Sequence, residues 1–494
     1  MKHIKQLLPA YIFGMLLLFT SCNKWLDVSP KTTVKEDSQF SKRQGFIDGL
    51  FGIYQNAAKP AMYGRNLTFG LLDILCQRYQ NRSIATSLYA KLAAFNYTDA
   101  EVQAVIDDLF ATTYSTIAQA NYVLRNVDNG VLDATSASIV KGEAIGMRGF
   151  LHFELMRLFS DSYSDGANAA SPSITYMKDF SVAPNARVNL GTALSLCEAD
   201  LKAAEQLLSV NQAIDQIAGN QGSTNPDLFL QYRQNHLNYW AVKAALARLY
   251  QFKGDKVNAL KYATEVIGSG KFNFVNQSAL VVDPTQVTSD LTFSSEHIFS
   301  IYVSNLKVVA DDVFKNTATG GETTDLWSTK AALNIVYDTG VSGQTNDIRS
   351  LAASKNLWLT VNDNVIYNKK YWSDSQANVK QRLIPVIKLA EMYYIAAESS
   401  PDLTEATKFF NAVRTGRLNA EIAVPASAAA LETQIMLEYR KEFYGEGQLW
   451  HYFKRKNTAA IWNGGTSATA MIQMNKARYI FPLPNTELEF GSAN

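Results

Sequence analysis

The sequence predicts a mostly α-helical protein in which helical hairpins of the tetratricopeptide type pack against a loop-rich lobe with short strands. Three observations predict this fold class. One strongly periodic helical hairpin lies between residues 238 and 274, helical periodicity fades over 271–381, and it returns from residue 382. A single helical hairpin cannot bury its own apolar face, so this fold requires partner helices elsewhere in the chain.

The hairpin at 238–274 has the spacing of a tetratricopeptide unit. Apolar residues recur at three- and four-residue steps on both sides of a central turn. Gly254 suits the left-handed residue that ends a helix, and Asp255 suits the N-cap of the next one. The small residues Ala247 and Ala259 stand where two helices must approach closely. Both helices are therefore predicted to belong to the core of the frame.

Helical periodicity elsewhere predicts the partners of this hairpin. Apolar residues recur at helical spacing over seven further segments: 40–55, 107–127, 136–159, 192–208, 382–399, 404–415 and 428–444. The stretch 160–189 is rich in Ser, Asp, Asn and Gly and is predicted to be a long loop. Residues 479–488 carry two closely spaced prolines and are predicted to form a rigid extended tail.

These patterns divide the chain into four parts. Residues 1–21 are predicted to be a signal peptide, and 22–270 an N-terminal helical region with tetratricopeptide-like hairpins. Residues 271–381 are predicted to be the irregular, loop-rich lobe, and 382–494 a C-terminal helical region. Within the lobe, β-branched and aromatic residues alternate with polar ones, most clearly over 297–303, which predicts short strands.

Charge and metal-ligating residues exclude some classes of protein. The formal net charge is +1, and it falls to −1 when the first 21 residues, with two lysines and no acid, are removed. A strongly basic nucleic-acid-binding protein is therefore excluded. The five histidines are scattered without a close pair, so we expect no zinc site and no cofactor. Cys76 and Cys197 lie in helical patterns and are predicted to be small buried apolar residues.

The N-terminus predicts the location of the protein. Lys2 and Lys5 precede an apolar run at 11–19 that is too short to span a bilayer. Small residues directly before Cys22 resemble a bacterial lipobox, which implies cleavage before Cys22 and its lipidation. Asn23 follows in place of the aspartate that marks inner-membrane retention, so the outer membrane is favoured. The alternative is ordinary secretion with a free Cys22.

Motifs spread along the chain, taken in order, resemble the SusD/RagB family of outer-membrane nutrient-binding lipoproteins. They lie at residues 22–30, 142–150, 238–274, 382–398, 411–414, 438–447 and 479–484. Two positions depart from the family pattern. Gln448 and His451 replace an Arg and an Asp of the family, and 160–166 replaces its "YGDVP" segment. These departures concern that surface and leave the fold expectation intact.

This resemblance implies an architecture, a partner and a ligand class. The family has four tetratricopeptide-like hairpins that cradle a less regular lobe. Its members close as a lid over a TonB-dependent outer-membrane transporter of the SusC type, holding a glycan or a peptide between them. The resemblance therefore implies a binding protein that breaks no bond. Two alternatives stay open, a glycoside hydrolase on a helical frame and a tetratricopeptide-type scaffold that binds only proteins.

Sugar binding requires exposed aromatic faces and nearby groups that hydrogen-bond hydroxyls, so aromatic residues in loops are the better candidates. The candidate ligand-binding residues are Tyr79, Asn81, Arg82, Trp327, Trp358 and Trp372. For each tryptophan the alternative is local packing under a long loop. Aromatic residues on helical stripes are predicted to be core instead: Trp240, Tyr250, Tyr262, Tyr393 and Tyr394.

Glu438, Glu442 and Glu446 are the strongest candidates for acid–base chemistry in the sequence. Their spacing of four places them on one face of a helix. Glycosidases usually set their two acids on opposite sides of a cleft. We therefore favour ion pairs, on the helix surface or between helices, with Arg440 and Lys441 over a catalytic pair.

Overall fold

The computed structural model describes residues 36–80, 86–163, 166–181, 185–214, 227–314, 325–339, 346–375, 377–464 and 470–490. The predicted signal peptide, Cys22, Asn81 and Arg82 lie outside these described residues.

Helices form most of the described chain. They are α1 Glu36–Gln39, α2 Arg43–Ala57, α3 Leu71–Leu75, α4 Leu88–Ala93, α5 Ala100–Asn126, α6 Ala134–Phe159, α7 Leu190–Leu208, α8 Tyr239–Lys253, α9 Lys256–Gly268, α10 Leu306–Phe314, α11 Lys330–Val336, α12 Leu389–Ser399, α13 Leu403–Gly416, α14 Ala428–Glu442, α15 Gln448–Arg455, α16 Lys476–Tyr479 and α17 Asn485–Phe490. The mostly α-helical fold class is thereby confirmed.

Short strands make small antiparallel sheets. The strands are β1 Pro172–Thr175, β2 Arg187–Asn189, β3 His297–Tyr302, β4 Trp327–Ser328, β5 Trp358–Asn362, β6 Val365–Asn368, β7 Leu383–Lys388, β8 Ala460–Trp462 and β9 Met471–Gln473. Their orders are β1–β2, β3–β7, β4–β6–β5 and β8–β9. The strand expected over 297–303 is therefore present as β3.

The long helices stack on one another in chain order. Helix α2 packs on α5, α5 on α6, α6 on α7, α7 on α8, α8 on α9, α9 on α12, and α12 on α13. The predicted hairpin is α8–α9, at the middle of this stack. Its turn has the expected chemistry, because Gly254 has a φ of 76° and the Asp255 side chain accepts a hydrogen bond from the Asn258 amide.

Side-chain caps fix where the frame helices begin. Asp99, Asp133, Asn189, Asn238 and Asp402 each accept a hydrogen bond of 2.8–3.0 Å from a backbone N–H in the first turn of the following helix. These bonds satisfy amides that have no partner inside the helix. Helices α5, α6, α7 and α13 consequently start one to seven residues before the starts that apolar periodicity predicts.

The aromatic residues predicted to be core lie where helices meet. Tyr250 and Tyr262 stack with ring centroids 5.6 Å apart, and both are buried together with Tyr394. Trp240 and Tyr393 are half-buried. Cys76 and Cys197 are buried as predicted, and burial raises the pKa of both thiols.

Three expectations about local structure were wrong. Residues 383–388 form strand β7 and not the start of a helix, because this apolar run pairs with β3 and is buried along its whole length. Pro385 within it also lacks the N–H that a helix interior needs. The long loop at 160–189 contains the β1–β2 pair. The end of the supposedly extended tail, from Asn485, is helix α17.

The hydrophobic core runs without a break from the helical stack into the lobe. Strand β3 carries this connection, because it contacts α2 and α8 on the frame and pairs with β7. Within the described residues, none of the helices combines the length and apolar character needed to cross a membrane.

Candidate functional site

The three glutamates singled out in the sequence lie inside the molecule. Glu438 and Glu442 are on α14, and Glu446 is in the turn that follows; all three are buried. Each belongs to one buried group of ion pairs, called here the ion-pair cluster. Its members are Glu296, Asp347, Arg349, Lys370, Lys388, Arg414, Arg417, Glu438, Lys441, Glu442 and Glu446.

Glu442 is at the centre of the ion-pair cluster. Its carboxylate lies 2.7 Å from the Arg417 guanidinium, 2.9 Å from that of Arg349 and 2.7 Å from the Lys388 ammonium. Burial by itself raises the pKa of Glu442, but the charges of Arg417 and Lys388 outweigh this and hold the pKa well below its usual value. Glu438 is likewise held ionised, mainly by Arg349. The ion-pair interpretation of these glutamates is correct, with Lys441 as a partner of Glu438.

Arg440, the other expected ion-pair partner, points to a different place. Its guanidinium lies over the ring of Trp462, 4.6 Å from the ring centroid. Burial, together with the positive charge of Arg78, lowers its pKa to about 10. Arg440 is therefore not part of the ion-pair cluster. It lies close enough to a second arginine, Arg78, to be affected by its charge.

Arg78 reaches this place through an unusual backbone turn. Helix α3 ends at Leu75, and Gln77 then adopts a left-handed conformation with φ of 60°, which is strained for a residue with a side chain. The turn sets the Arg78 guanidinium 5.1 Å from the centroid of the Tyr444 ring. Arg78 is only 5% exposed.

Gln80 connects the surrounding strands to this turn. Its backbone N–H donates to the carbonyl of Trp327 at 2.8 Å, and its side-chain amide donates to the carbonyl of Gly464. Gly464 follows Trp462 at the end of β8 and packs tightly on Gln77. Trp327 and Trp462 are both half-buried, and both are thereby held beside the 77–80 turn.

Several buried donors here have no hydrogen-bond partner in the described part of the chain. They are Nε and Nη2 of Arg78, Nη2 of Arg440 and Nε1 of Trp327. Buried polar groups are nearly always paired in folded proteins, so these donors require an acceptor outside the described protein atoms, either a water molecule or a ligand. We call the group Arg78, Gln80, Trp327, Arg440 and Trp462 the two-arginine site.

The structure places the predicted ligand-binding residues in different environments. Trp327 belongs to the two-arginine site. Tyr79 is buried edge-on against Tyr444, with ring centroids 5.8 Å apart. Trp358 is buried and donates to the carbonyl of Arg349 at 2.8 Å, and Trp372 is also buried. These three rings present no open face to a sugar, which matches the packing alternative.

Sequence reasoning missed Arg78, Arg440 and Trp462. Trp462 lies at the start of a Gly- and Ser-containing loop, so the rule that favours loop aromatics also applies to it. Arg78 directly precedes Tyr79, which is one of the candidates. Arg440 could not be identified, because its neighbours on α14 are ion-paired and only the tertiary structure shows that it faces the other way.

A cavity lies at another position in the frame, and most of its charged lining residues are already paired. It has a volume of about 370 Å³ and lies between the ends of α8, α12 and α15. Four of its five charged lining residues pair with each other: Glu398 with Arg455 and Lys456 at 3.0 and 3.3 Å, and Glu432 with Lys456 at 3.0 Å. This cavity offers a ligand fewer free donors than the two-arginine site.

Two family profiles match the chain. A SusD-like profile described as "Starch-binding associating with outer membrane" matches residues 24–221, and the SusD/RagB profile, described as "SusD family", matches residues 312–489. Together they match the chain on both sides of residues 222–311, the segment that contains α8 and α9. The chain belongs to the SusD/RagB family.

Solved structures share this fold over most of its length. One from Bacteroides vulgatus is 21% identical with a TM-score of 0.69, covering 91% of this chain and 96% of that chain. A SusD superfamily protein from Bacteroides thetaiotaomicron is 20% identical, with a TM-score of 0.66 and coverage of 91% and 98%. A SusD-like carbohydrate binding protein from Bacteroides vulgatus is 16% identical, with a TM-score of 0.66 and coverage of 91% and 96%. At these identities the similarity shows the fold alone. No curated protein matches the chain significantly.

Proposed function

We propose that this chain binds an oligosaccharide at the two-arginine site and delivers it to a SusC-like TonB-dependent transporter, over which it closes as a lid. The observation that carries this proposal is the pairing of two half-buried tryptophans with arginine donors that have no partner in the described chain. Tryptophan faces stack on the C–H-rich faces of sugars, and free N–H groups bind hydroxyl oxygens. The SusD-family match supports the ligand class and the transporter.

The proposed location is the outer membrane, with the protein anchored through lipid on Cys22. The description of the matching family as associating with the outer membrane supports this location. Mass spectrometry of the mature N-terminus tests the anchor. We expect a diacylated Cys22 as the first residue; an unmodified Cys22 would refute the anchor.

The proposed role is binding without catalysis. A general acid that works near neutral pH needs a raised pKa. Glu438 and Glu442 have lowered pKa values and are held by arginines and lysines inside the ion-pair cluster. Neither is suited to donate a proton to a glycosidic oxygen. This favours a binding protein over the glycoside hydrolase alternative.

Calorimetric titration with a panel of oligosaccharides and peptides tests the proposed function. We expect at least one oligosaccharide to bind without forming products. Trp327→Ala should then weaken binding about fivefold or more, because a ring stacked on an aromatic side chain contributes about 1–3 kcal/mol in the case of nucleic-acid bases. Trp240→Ala is the matched control, since Trp240 is also half-buried but lies on α8 and donates to the Gln212 carbonyl.

Each alternative function predicts a different experimental result. Products released from a bound oligosaccharide would establish an enzyme. Binding of peptides alone would change the ligand class. If no small ligand binds while a co-expressed transporter is captured stably, the protein is a scaffold. An unchanged affinity in Trp327→Ala would place the ligand somewhere else.

A further inference from the structure

Arg78 is unlike the other buried arginines of the described chain. Six of them pair with a carboxylate: Arg157, Arg233, Arg248, Arg349, Arg414 and Arg417. Arg78 makes no ion pair and no side-chain hydrogen bond within the described residues.

The nearest acids are already engaged. Asp73 accepts hydrogen bonds from the backbone amides of Gly445 and Gly447, at 2.5 and 3.0 Å. Asp338, which influences Arg440, pairs with Lys441 at 2.8 Å. Burying a charge without a partner is costly, and a second like charge nearby adds to that cost. Asp73 still offsets part of the charge of Arg78, because backbone amides leave its negative charge in place, and the second arginine leaves the site with an excess of positive charge.

The unpaired donors have the geometry that anions use. A guanidinium presents parallel N–H groups that match the oxygens of a carboxylate or a sulfate, and such charge-assisted hydrogen bonds are about twice as strong as neutral ones. A neutral sugar can accept hydrogen bonds from these donors through its hydroxyls, but only an anion also neutralises their charge. The half-buried ring of Trp327 can stack on the face of a sugar.

We propose that the ligand of the two-arginine site is an anionic oligosaccharide, one that carries carboxylate or sulfate groups on its sugar rings. The anionic group lies between Arg78 and Arg440, and the ring of the sugar lies against the tryptophans. This inference rests on the proposed function and narrows its ligand class.

Calorimetric titration of the full mature protein tests the inference. The probes are an oligogalacturonate, a sulfated oligosaccharide and a malto-oligosaccharide of equal length. We expect at least one anionic probe to bind at least tenfold more tightly than the neutral one, with an affinity that falls as salt is added. Which anionic probe binds decides between carboxylate and sulfate.

Arg440→Gln tests the role of the charge. This substitution should lower the affinity for the anionic probe at least tenfold. It should change the affinity for the neutral probe by less than twofold. Arg478→Gln is the matched control, because Arg478 is also half-buried and lies over an aromatic ring, that of Phe95 at 5.0 Å. Arg440→Lys keeps the charge but not the paired donors, so an intermediate affinity is expected. Circular dichroism melting confirms that each variant is folded.

The possible failures are distinguishable. If the neutral probe binds as tightly as the anionic ones, the anionic inference is overturned and the proposed function survives. The anionic inference is also overturned, and the proposed function survives, if a folded Arg440→Gln variant loses affinity for the neutral and the anionic probes equally. If no oligosaccharide of any class binds, the proposed function itself fails.

Discussion

Glu143 shows how one buried carboxylate connects several elements. From α6 it accepts a hydrogen bond of 2.5 Å from the Tyr54 hydroxyl on α2 and lies 2.9 Å from Nδ1 of His236. It also pairs with Arg233. Burial by itself raises the pKa of Glu143, but Arg233 and His236 outweigh it and lower the pKa to about 2. The family-like motif at 142–150 therefore has a structural role at this residue.

Replacing Glu143 should be strongly destabilising. Glu143→Gln leaves Arg233 buried without a counter-charge, and breaking a buried ion pair in this way costs about 3–5 kcal/mol. Urea unfolding at pH 7 measures the loss. Glu405→Gln is the control; it breaks the exposed Glu405–Lys408 pair on α13, so a change within about 1 kcal/mol is expected. Equal effects of the two substitutions would contradict this role of Glu143.

At the residue scale, residue type and position singled out Trp327, which lies in the two-arginine site. Its role in ligand binding stays a prediction. Trp358 and Trp372 satisfy the same rule and are buried, because their neighbours in space come from distant segments. The direction of the Arg440 side chain likewise depends on tertiary packing, so the local sequence does not predict it.

At the scale of elements, the contact between α6 and α7 depends on glycines. A β-carbon added at Gly142, Gly146 or Gly149 would lie 2.7–2.9 Å from atoms of Leu208, Leu237 or Asp200. At Gly149 the obstacle is the β-carbon of Asp200, which cannot rotate away. Asp200 is also held by Arg148 and the Tyr176 hydroxyl.

Gly149→Ala should therefore destabilise the protein, even though alanine favours a helix over glycine by roughly 0.5–1 kcal/mol. We expect a net loss of about 1–3 kcal/mol, as for other overpacked cores. Gly268→Ala at the end of α9 is the control, since no atom lies within 4 Å of the added carbon. Thermal unfolding compares the two. A stabilised Gly149→Ala variant would mean that α6 and α7 separate easily.

Periodicity identified the long helices because each buries one continuous stripe. It failed at β7, where all six residues are buried. A fully buried strand and a buried helical turn both appear as an apolar run, and only the pairing partner distinguishes them. That partner, β3, lies in a part of the chain that the sequence assigned to a different region. The helical stack could thus be predicted, and the joint between frame and lobe could not.

At the scale of the whole molecule, buried charges make stability dependent on pH. Glu143, Glu398, Glu438 and Glu442 have lowered pKa values. Their contribution is present above the unfolded pKa of about 4.5 and is lost as pH falls towards the folded values. His152 is buried in its neutral form, with its pKa lowered by burial to about 3, so protonation below about pH 6.5 also favours unfolding.

The melting temperature should therefore fall when the pH is lowered from 7 to 3, with the steepest loss below pH 4.5. Asp73 acts in the opposite direction, because burial raises its pKa to about 6 and its protonation favours the folded state between about pH 4 and 6. Melting curves at unit steps of pH measure the balance. A melting temperature that rises on acidification would show that groups like Asp73 dominate.

The pairing of β3 with β7 has a consequence for the order of folding. Helices α5 to α9 contact their neighbours in sequence, so they can assemble as the chain is synthesised. Strand β3 can pair only after β7 has been synthesised, because Ser300 pairs with Pro385, which lies far along the chain. Before that point, the unpaired edge and the apolar side chains of β3 can associate with other chains, so aggregation competes with folding. Truncation before residue 383 should therefore yield an insoluble product, although the helical stack up to α9 would be complete.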